Sequence, residues 1–196
     1  GVGPVRITLG EHADALGVHP SDAMAEWLIR NGLDSTVTMP AFVKDEDMVV
    51  RLLRDPYTLG NITDAGAHGQ MLCGGGENIL LLTDYVRERG LITIEEAIHN
   101  LTGKPAGHFC LDDRGLLQVG MRADITVFAL DELRYQDMEK VYDVPDGNGG
   151  HTWRWTRSPA PVRLTLVNGE ATFKNGDYTD AKPGVMVGPH GSAEAA

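Results

Sequence analysis

The spacing of apolar positions changes along the chain, and each change marks an element. Pro4 to Leu9 alternates apolar and polar side chains, which predicts a strand or an extended entry. His19-Pro20-Ser21-Asp22 reads as a helix start, with proline in the first turn and an acid behind it. Met24, Trp27 and Leu28 follow at i, i+3 and i+4, and Asn31-Gly32 stops that helix. Ser35 to Met39 is short and β-branched, so it reads as a buried strand ended by Pro40. Lys44 to Arg54 predicts a helix with Met48, Leu52 and Val49, Leu53 on its inner face, closed by Pro56. Thr58 to Thr63 predicts a second short strand, and Asp64 stands just past its end. Strand, helix and strand in this order make a βαβ unit with parallel strands.

Beyond this unit, Gly66 to Gly76 is a glycine-rich loop. Ile79 to Arg89 predicts a helix capped by Gly90. Thr93-Ile94-Glu95-Glu96 is a capping box that opens a helix through Ala97, Ile98 and Leu101, ending at Gly103 before Pro105. The texture changes near Leu111. Gly115 to Leu117, Ala123 to Phe128, Val162 to Val167 and Glu170 to Lys174 read as strands, with hairpin turns at Asn168-Gly169 and Asn175-Gly176. Asp143 to Pro161, rich in Gly, Pro and Trp, reads as a long surface loop. The expected organisation is therefore helices with parallel strands over 1–110, antiparallel β over 111–187 and a small, polar, disordered tail over 188–196.

Composition narrows the function classes. Hydrophobic residues make up 42% of the 196, enough for a packed core. No run approaches the roughly 18–20 apolar residues of a membrane span. A formal charge of -11, scattered along the chain, repels phosphate backbones and argues against nucleic acid. Cys73 and Cys110 lie far apart and outside any CxxC pattern, which fits a reduced, cytoplasmic setting. The chain begins at Gly1 with no signal segment, so it is expected to be a fragment or a processed product.

Asp64 carries the candidate chemistry. A carboxylate at the C-terminal mouth of a parallel strand can accept a proton from an attacking water and return it to a leaving amine. From position alone, a turn or helix-cap aspartate is the more ordinary role, because Asp-x-Gly turns are common. Thr63-Asp64-Ala65-Gly66-Ala67-His68 resembles the strand-eight aspartate motif of the N-acyl-D-amino-acid deacylases, which belong to the amidohydrolase superfamily. Tyr85-Val86-Arg87-Glu88, Ile94-Glu95-Glu96-Ala97 and Leu101-Thr102-Gly103-Lys104-Pro105-Ala106 resemble the segments that follow it. Asp113-Arg114-Gly115-Leu116-Leu117, Gly120-Met121-Arg122-Ala123-Asp124-Ile125 and Val167-Asn168-Gly169-Glu170 resemble the return into the small β domain.

The resemblance implies an α/β plus β architecture: the last βα units of a (β/α)8 metallo-hydrolase barrel, then part of a small β-sandwich. It implies Asp64 as general acid/base, zinc as the metal of the full-length parent, and an N-acyl amino acid as substrate. Asp64 is also the one candidate metal contact. The family's His-x-His and other ligands belong to earlier strands, so this chain alone is expected to hold no zinc and to be inactive. A cyclic-amide hydrolase of the hydantoinase or dihydropyrimidinase type is the alternative substrate class. A non-catalytic interaction module is the alternative of another kind. Two parallel strands cannot close a barrel, so their edges call for the remaining N-terminal barrel or another copy of the chain.

The other candidates weigh less. His68 is placed to touch substrate or orient the carboxylate, or is a plain loop histidine. His12 lacks partners at ligand spacing. Cys73 defaults to an idle thiol. Gly74-Gly75-Gly76 lacks the Gly-Lys-Ser/Thr of a phosphate loop and reads as a flexible rim. His99, His108, His151 and His190 read as surface or packing residues. Trp153 and Trp155, flanked by Arg154 and Arg157, suit a lid, an interface or packing.

Overall fold

A computed structural model describes residues 7–32, 45–60, 63, 69–70 and 73–192. The chain divides into two units, Gly1–Lys44 and Asp45–Ala196.

The first unit is a helical hairpin. Helix α1 (Leu9–Leu16) opens on Thr8, whose hydroxyl accepts from Glu11 N at 3.2 Å while Glu11 Oε2 accepts from Thr8 N at 2.8 Å. That reciprocal capping starts a helix at Leu9, inside the stretch whose alternation suggested extended chain. Residues 4–6 of that stretch lie outside the described residues. Helix α2 (Pro20–Asn31) starts and stops as the sequence predicts, with His19 as its cap and Gly32 at its end. Ala13 and Ala23 are buried, small side chains that let the two helices approach.

The second unit holds the main core. Helix α3 (Glu46–Arg54) is capped by Asp45, whose carboxylate accepts from Met48 N at 3.0 Å. It buries Val50 and Leu53, while Met48 and Leu52, expected inside, stay 43% and 46% exposed. Thr58 to Gly60 and Thr63 form no strand, and residues 61–62 lie outside the described residues, as does the predicted strand at 35–39. All described strand pairs are antiparallel.

The helix expected over 79–89 has π geometry over Leu81–Glu88. From it Arg87 Nη1 donates to Leu130 O at 2.8 Å and Leu133 O at 2.7 Å. Helix α4 (Ile94–Leu101) carries the predicted capping box. The chain does not leave helix at Gly103 but restarts as α5 (Gly103–His108). Pro105 is tolerated there because first-turn amides have no intrahelical acceptor to lose.

Arg54 clamps α3 to α4 through Glu96, with Nε–Oε1 at 2.7 Å and Nη2–Oε2 at 3.2 Å. The Arg54 guanidinium, then the Thr93 amide, hold the Glu96 carboxyl below its ordinary range. A depressed folded-state pKa gives stability that is present above the unfolded value and lost as pH falls through the folded one. Glu96→Gln is therefore expected to flatten the acid limb of stability below about pH 4.3, read as urea midpoints from neutral to acid pH.

The antiparallel segment follows. Strands β1 (Ile125–Val127), β4 (Leu164–Val167), β5 (Glu170–Lys174) and β6 (Asp177–Tyr178) form one sheet in the order β1-β4-β5-β6. Asn168 and Gly169 have φ of 48° and 83°, the left-handed pair that a two-residue hairpin turn requires. Strands β2 (Met138–Pro145) and β3 (His151–Arg157) form a separate hairpin where a surface loop was expected over 143–161. Strands β7 (Val187–Gly188) and β8 (Gly191–Ser192) make a short hairpin at the start of the expected tail.

Gly115 and Leu116 form a bend and Leu117 is irregular, so the expected strand is not there. Gly115 has φ of +88°, and a Cβ there would lie 2.4 Å from Ala106 Cβ and 3.2 Å from Thr102 O. Gly115→Ala is expected to destabilise by about 2 kcal/mol or more, combining backbone strain with overpacking, measured by urea unfolding.

The main core joins Val50, Leu53, Leu82, Ile92 and Ala97 to Leu133, with Phe128, Leu130 and Val162 packed around them. It crosses the boundary expected at residue 110, so α3, the π-helical segment and α4 share one apolar interior with residues of the β segment. Among the described residues, no helix is long and apolar enough to cross a membrane.

Candidate active-site loop

Asp64 and His68 lie outside the described residues, as does the rest of 64–68. Thr63, Gly69, Gln70 and the residues from Cys73 to Ser192 are described. Thr63 Oγ1 donates to Gly74 O at 2.6 Å, so the residue before Asp64 is tied to a buried glycine eleven positions on.

The β2–β3 hairpin supports this loop. Trp155 N donates to Gly69 O at 2.6 Å. Gln70 Nε2 donates to Thr152 Oγ1 and to Trp153 O, both at 3.0 Å. These bonds cover the edge of β3 that β2 leaves free, which satisfies backbone groups a bare edge would expose. From β2, Met138 Sδ accepts from Cys73 N at 3.3 Å.

Arg157 closes the arrangement. Its Nη1 donates to Cys73 O at 3.1 Å and Gly75 O at 2.5 Å, and its Nε donates to Gln136 O at 2.5 Å. The guanidinium lies 4.0 Å from the centre of the Tyr135 ring, a cation–π contact. Burial, partly opposed by Arg157, pushes the Tyr135 hydroxyl up from its ordinary pKa. On one face of β3, Trp153 and Trp155 meet edge to face at 5.9 Å under Lys140 Nζ, which sits 3.8 Å from the first ring and 5.4 Å from the second. Arg154 pairs instead with Asp143, and holds its carboxyl below the usual range.

Sequence reading noted Arg157 only as a neighbour of Trp155, and missed Gln70 and Tyr135. Local spacing offers no signal for them, because their partners lie in another part of the chain. The lesser candidates are scattered. His12 packs edge to face on Trp27 in the first unit, and His108 does so on Phe109. His190 Nδ1 meets Asp112 at 3.0 Å on the surface. His99 lines a cleft of about 280 Å³ whose charged groups are already engaged: Arg54 with Glu96, and Lys104 with Leu53 O and Asn100 Oδ1. Among the described residues, no cluster of three or more His, Cys, Asp or Glu side chains is placed to hold a metal ion.

Two short motifs far apart in sequence meet. Asp124 Oδ1 accepts from Asn168 N at 2.8 Å, Ala123 O accepts from Gly169 N at 3.0 Å, and Asp124 Oδ2 accepts from Arg114 Nη1 at 2.8 Å. The Ala-Asp of Gly120–Ile125 thus seats the Asn-Gly turn. Its role is structural: it satisfies the amides of that turn.

The amidohydrolase family profile matches residues 5–173, most of the chain. The chain belongs to the amidohydrolase family. The matched span includes Asp64 and the whole β2–β3 hairpin. This amidohydrolase chain is 32% identical over 170 residues to the N-acyl-D-glutamate deacylase of Alcaligenes xylosoxydans xylosoxydans, covering 79% of this chain and 32% of that protein. It is 33% identical over 129 residues to the N-acyl-D-aspartate deacylase of the same organism, covering 60% of this chain and 24% of that one. It thus spans about a third or less of the length of these relatives. A crystal structure of D-aminoacylase is similar at TM-score 0.47 and 23% identity, covering 88% of this chain and 32% of that chain, a likeness too low to carry an argument.

Proposed function

We propose that this chain is the C-terminal part of a metal-dependent amidohydrolase that cleaves the amide of N-acyl-D-amino acids, with Asp64 as its general acid/base. The observation that carries the reading is the family match over 5–173, which spans the Thr63–His68 motif, together with deacylase relatives that act on N-acylated D-glutamate and D-aspartate. In this reading Asp64 takes a proton from the attacking water and delivers it to the departing amine. His68 contacts substrate or steadies that carboxylate. The parent's metal would polarise the scissile carbonyl and make water a nucleophile at neutral pH. Among the described residues no cluster fits a metal; in this reading Asp64 is a candidate contact and the remaining ligands belong to the parent.

The test is an assay of the full-length parent, purified with its metal, on N-acyl-D-glutamate, N-acyl-D-aspartate, their L enantiomers and a cyclic amide such as a hydantoin. Release of the free D-amino acid is expected, with the L enantiomers and the cyclic amide turned over far more slowly. Ring opening of the cyclic amide without release of amino acid from the N-acyl compounds would overturn the substrate assignment.

A further inference from the structure

We propose that Asn148, in the turn between β2 and β3, is the chain's principal site of spontaneous deamidation, with Asn175 second and two further Asn-Gly pairs held inert by the fold. The sequence holds such pairs at Asn31, Asn148, Asn168 and Asn175. The reaction is intramolecular. The main-chain nitrogen of the following glycine attacks asparagine Cγ, the Cγ–Nδ2 bond breaks, and ammonia leaves with the glycine amide proton. The five-membered imide then takes up water, which opens it at either carbonyl to aspartate or isoaspartate. Two nitrogens therefore decide the rate: the attacking glycine N and the departing Nδ2. A protein hydrogen bond on either must open before the ring can close.

The pairs fall into two classes. At Asn31, Nδ2 donates to Trp27 O at 2.8 Å, and Gly32 N donates to Leu28 O in the C-terminal cap of α2. At Asn168, Nδ2 donates to Pro183 O at 2.7 Å and Gly169 N to Ala123 O at 3.0 Å. At Asn148 and Asn175 the asparagine main-chain N is bonded, to Asp146 Oδ1 and to Arg163 O, but Nδ2 and the following glycine N have no acceptor among the described residues. Exposure does not draw this line, because Asn31 is exposed like Asn148 and Asn175. Asn148 outranks Asn175 because glycines flank it on both sides and continue to Gly150. Asn175, with φ of 52°, is fixed in a two-residue turn that the Lys174–Asp177 pair closes. A Cβ at Gly149 would meet nothing within 4 Å, so there is room for ring closure and for water. Either product adds a negative charge, and isoaspartate also lengthens the main chain by a methylene inside the turn that joins β2 to β3.

The test incubates the full-length protein in mildly alkaline buffer at physiological temperature and follows each pair by peptide mapping. The readouts are the mass gain of amide-to-acid conversion and the separate elution of isoaspartyl peptides. Asn148 is expected to convert first and Asn175 next, with Asn31 and Asn168 slower by about tenfold or more, since two hydrogen bonds must open at each. In urea sufficient to unfold the chain, the pairs should converge on similar rates, because the protecting bonds are gone. Asn148→Gln should remove the fastest signal, since glutamine must close a larger ring, and should leave the other three sites as they were. Conversion of Asn31 or Asn168 as fast as Asn148 in the folded protein, or Asn175 ahead of Asn148, overturns the proposal. So does a spread among the sites that persists in urea, which would make local sequence and not the fold the cause.

Discussion

In the full-length parent, Asp64→Asn is expected to lower turnover by about 10²- to 10⁴-fold while metal content stays near wild type. Asparagine keeps the size and most of the hydrogen-bonding shape of aspartate, but it cannot take a proton from water and return it to an amine. An amine is a poor leaving group unless protonated, so the loss should fall on kcat. The pH profile offers a second reading of the same change. A carboxylate acting as base gives an acid limb in kcat/KM, and that limb should vanish from the residual activity of Asp64→Asn. Metal analysis beside the kinetics separates the two roles assigned to this carboxylate. Parallel loss of metal and activity would make Asp64 chiefly a ligand.

The second large effect concerns the fold that carries the loop. Leu133→Ala is expected to destabilise the chain by about 2–5 kcal/mol. Leu133 is fully buried and sits among Val50, Leu53, Leu82, Ile92 and Ala97, so truncation leaves a cavity lined by side chains from α3, the π-helical segment and α4. Its own carbonyl accepts from Arg87, which limits how far the backbone can move to fill the gap. Total stabilities near 5–15 kcal/mol make this a large fraction of the whole. Urea unfolding followed by far-ultraviolet circular dichroism gives the number. A loss under about 1 kcal/mol would mean that the helical and β segments do not share one interior.

Features written in a few adjacent residues were legible without coordinates. The cap at His19-Pro20, the Thr93–Glu96 box and the two Asn-Gly turns each satisfy their own backbone groups locally, so four residues suffice to announce them. The β2–β3 hairpin was hidden for two reasons. A register irregularity between Val141 and Val144 breaks the alternation of β2, and the turn from Asp146 to Gly150 is glycine-rich enough to read as loop. Helix α1 was obscured because the Thr8–Glu11 box begins within the end of the alternating stretch Pro4 to Leu9. The inner face of α3 was misread because Met48 and Leu52 are as apolar as the residues that pack; only the neighbouring elements decide which stripe is covered.

The loop shows the same division. The Thr63–His68 motif is a resemblance attached to consecutive residues, so it can be stated from sequence, while Asp64 and His68 themselves lie outside the described residues. The contacts of Arg157 were not legible, because its acceptors at Cys73 and Gly75 lie 84 and 82 positions away. A contact at such a distance appears only once β3 has been laid against the loop.

A crystal structure of the full-length enzyme with its metal and a non-hydrolysed N-acyl-D-amino acid analogue tests the account most directly. The prediction is an Asp64 carboxylate oxygen within about 2.6–3.2 Å of the attacking water or the scissile nitrogen, with Thr63 still bonded to Gly74 O. An Asp64 side chain that caps a helix or turns into a surface bend, out of reach of substrate, would contradict it.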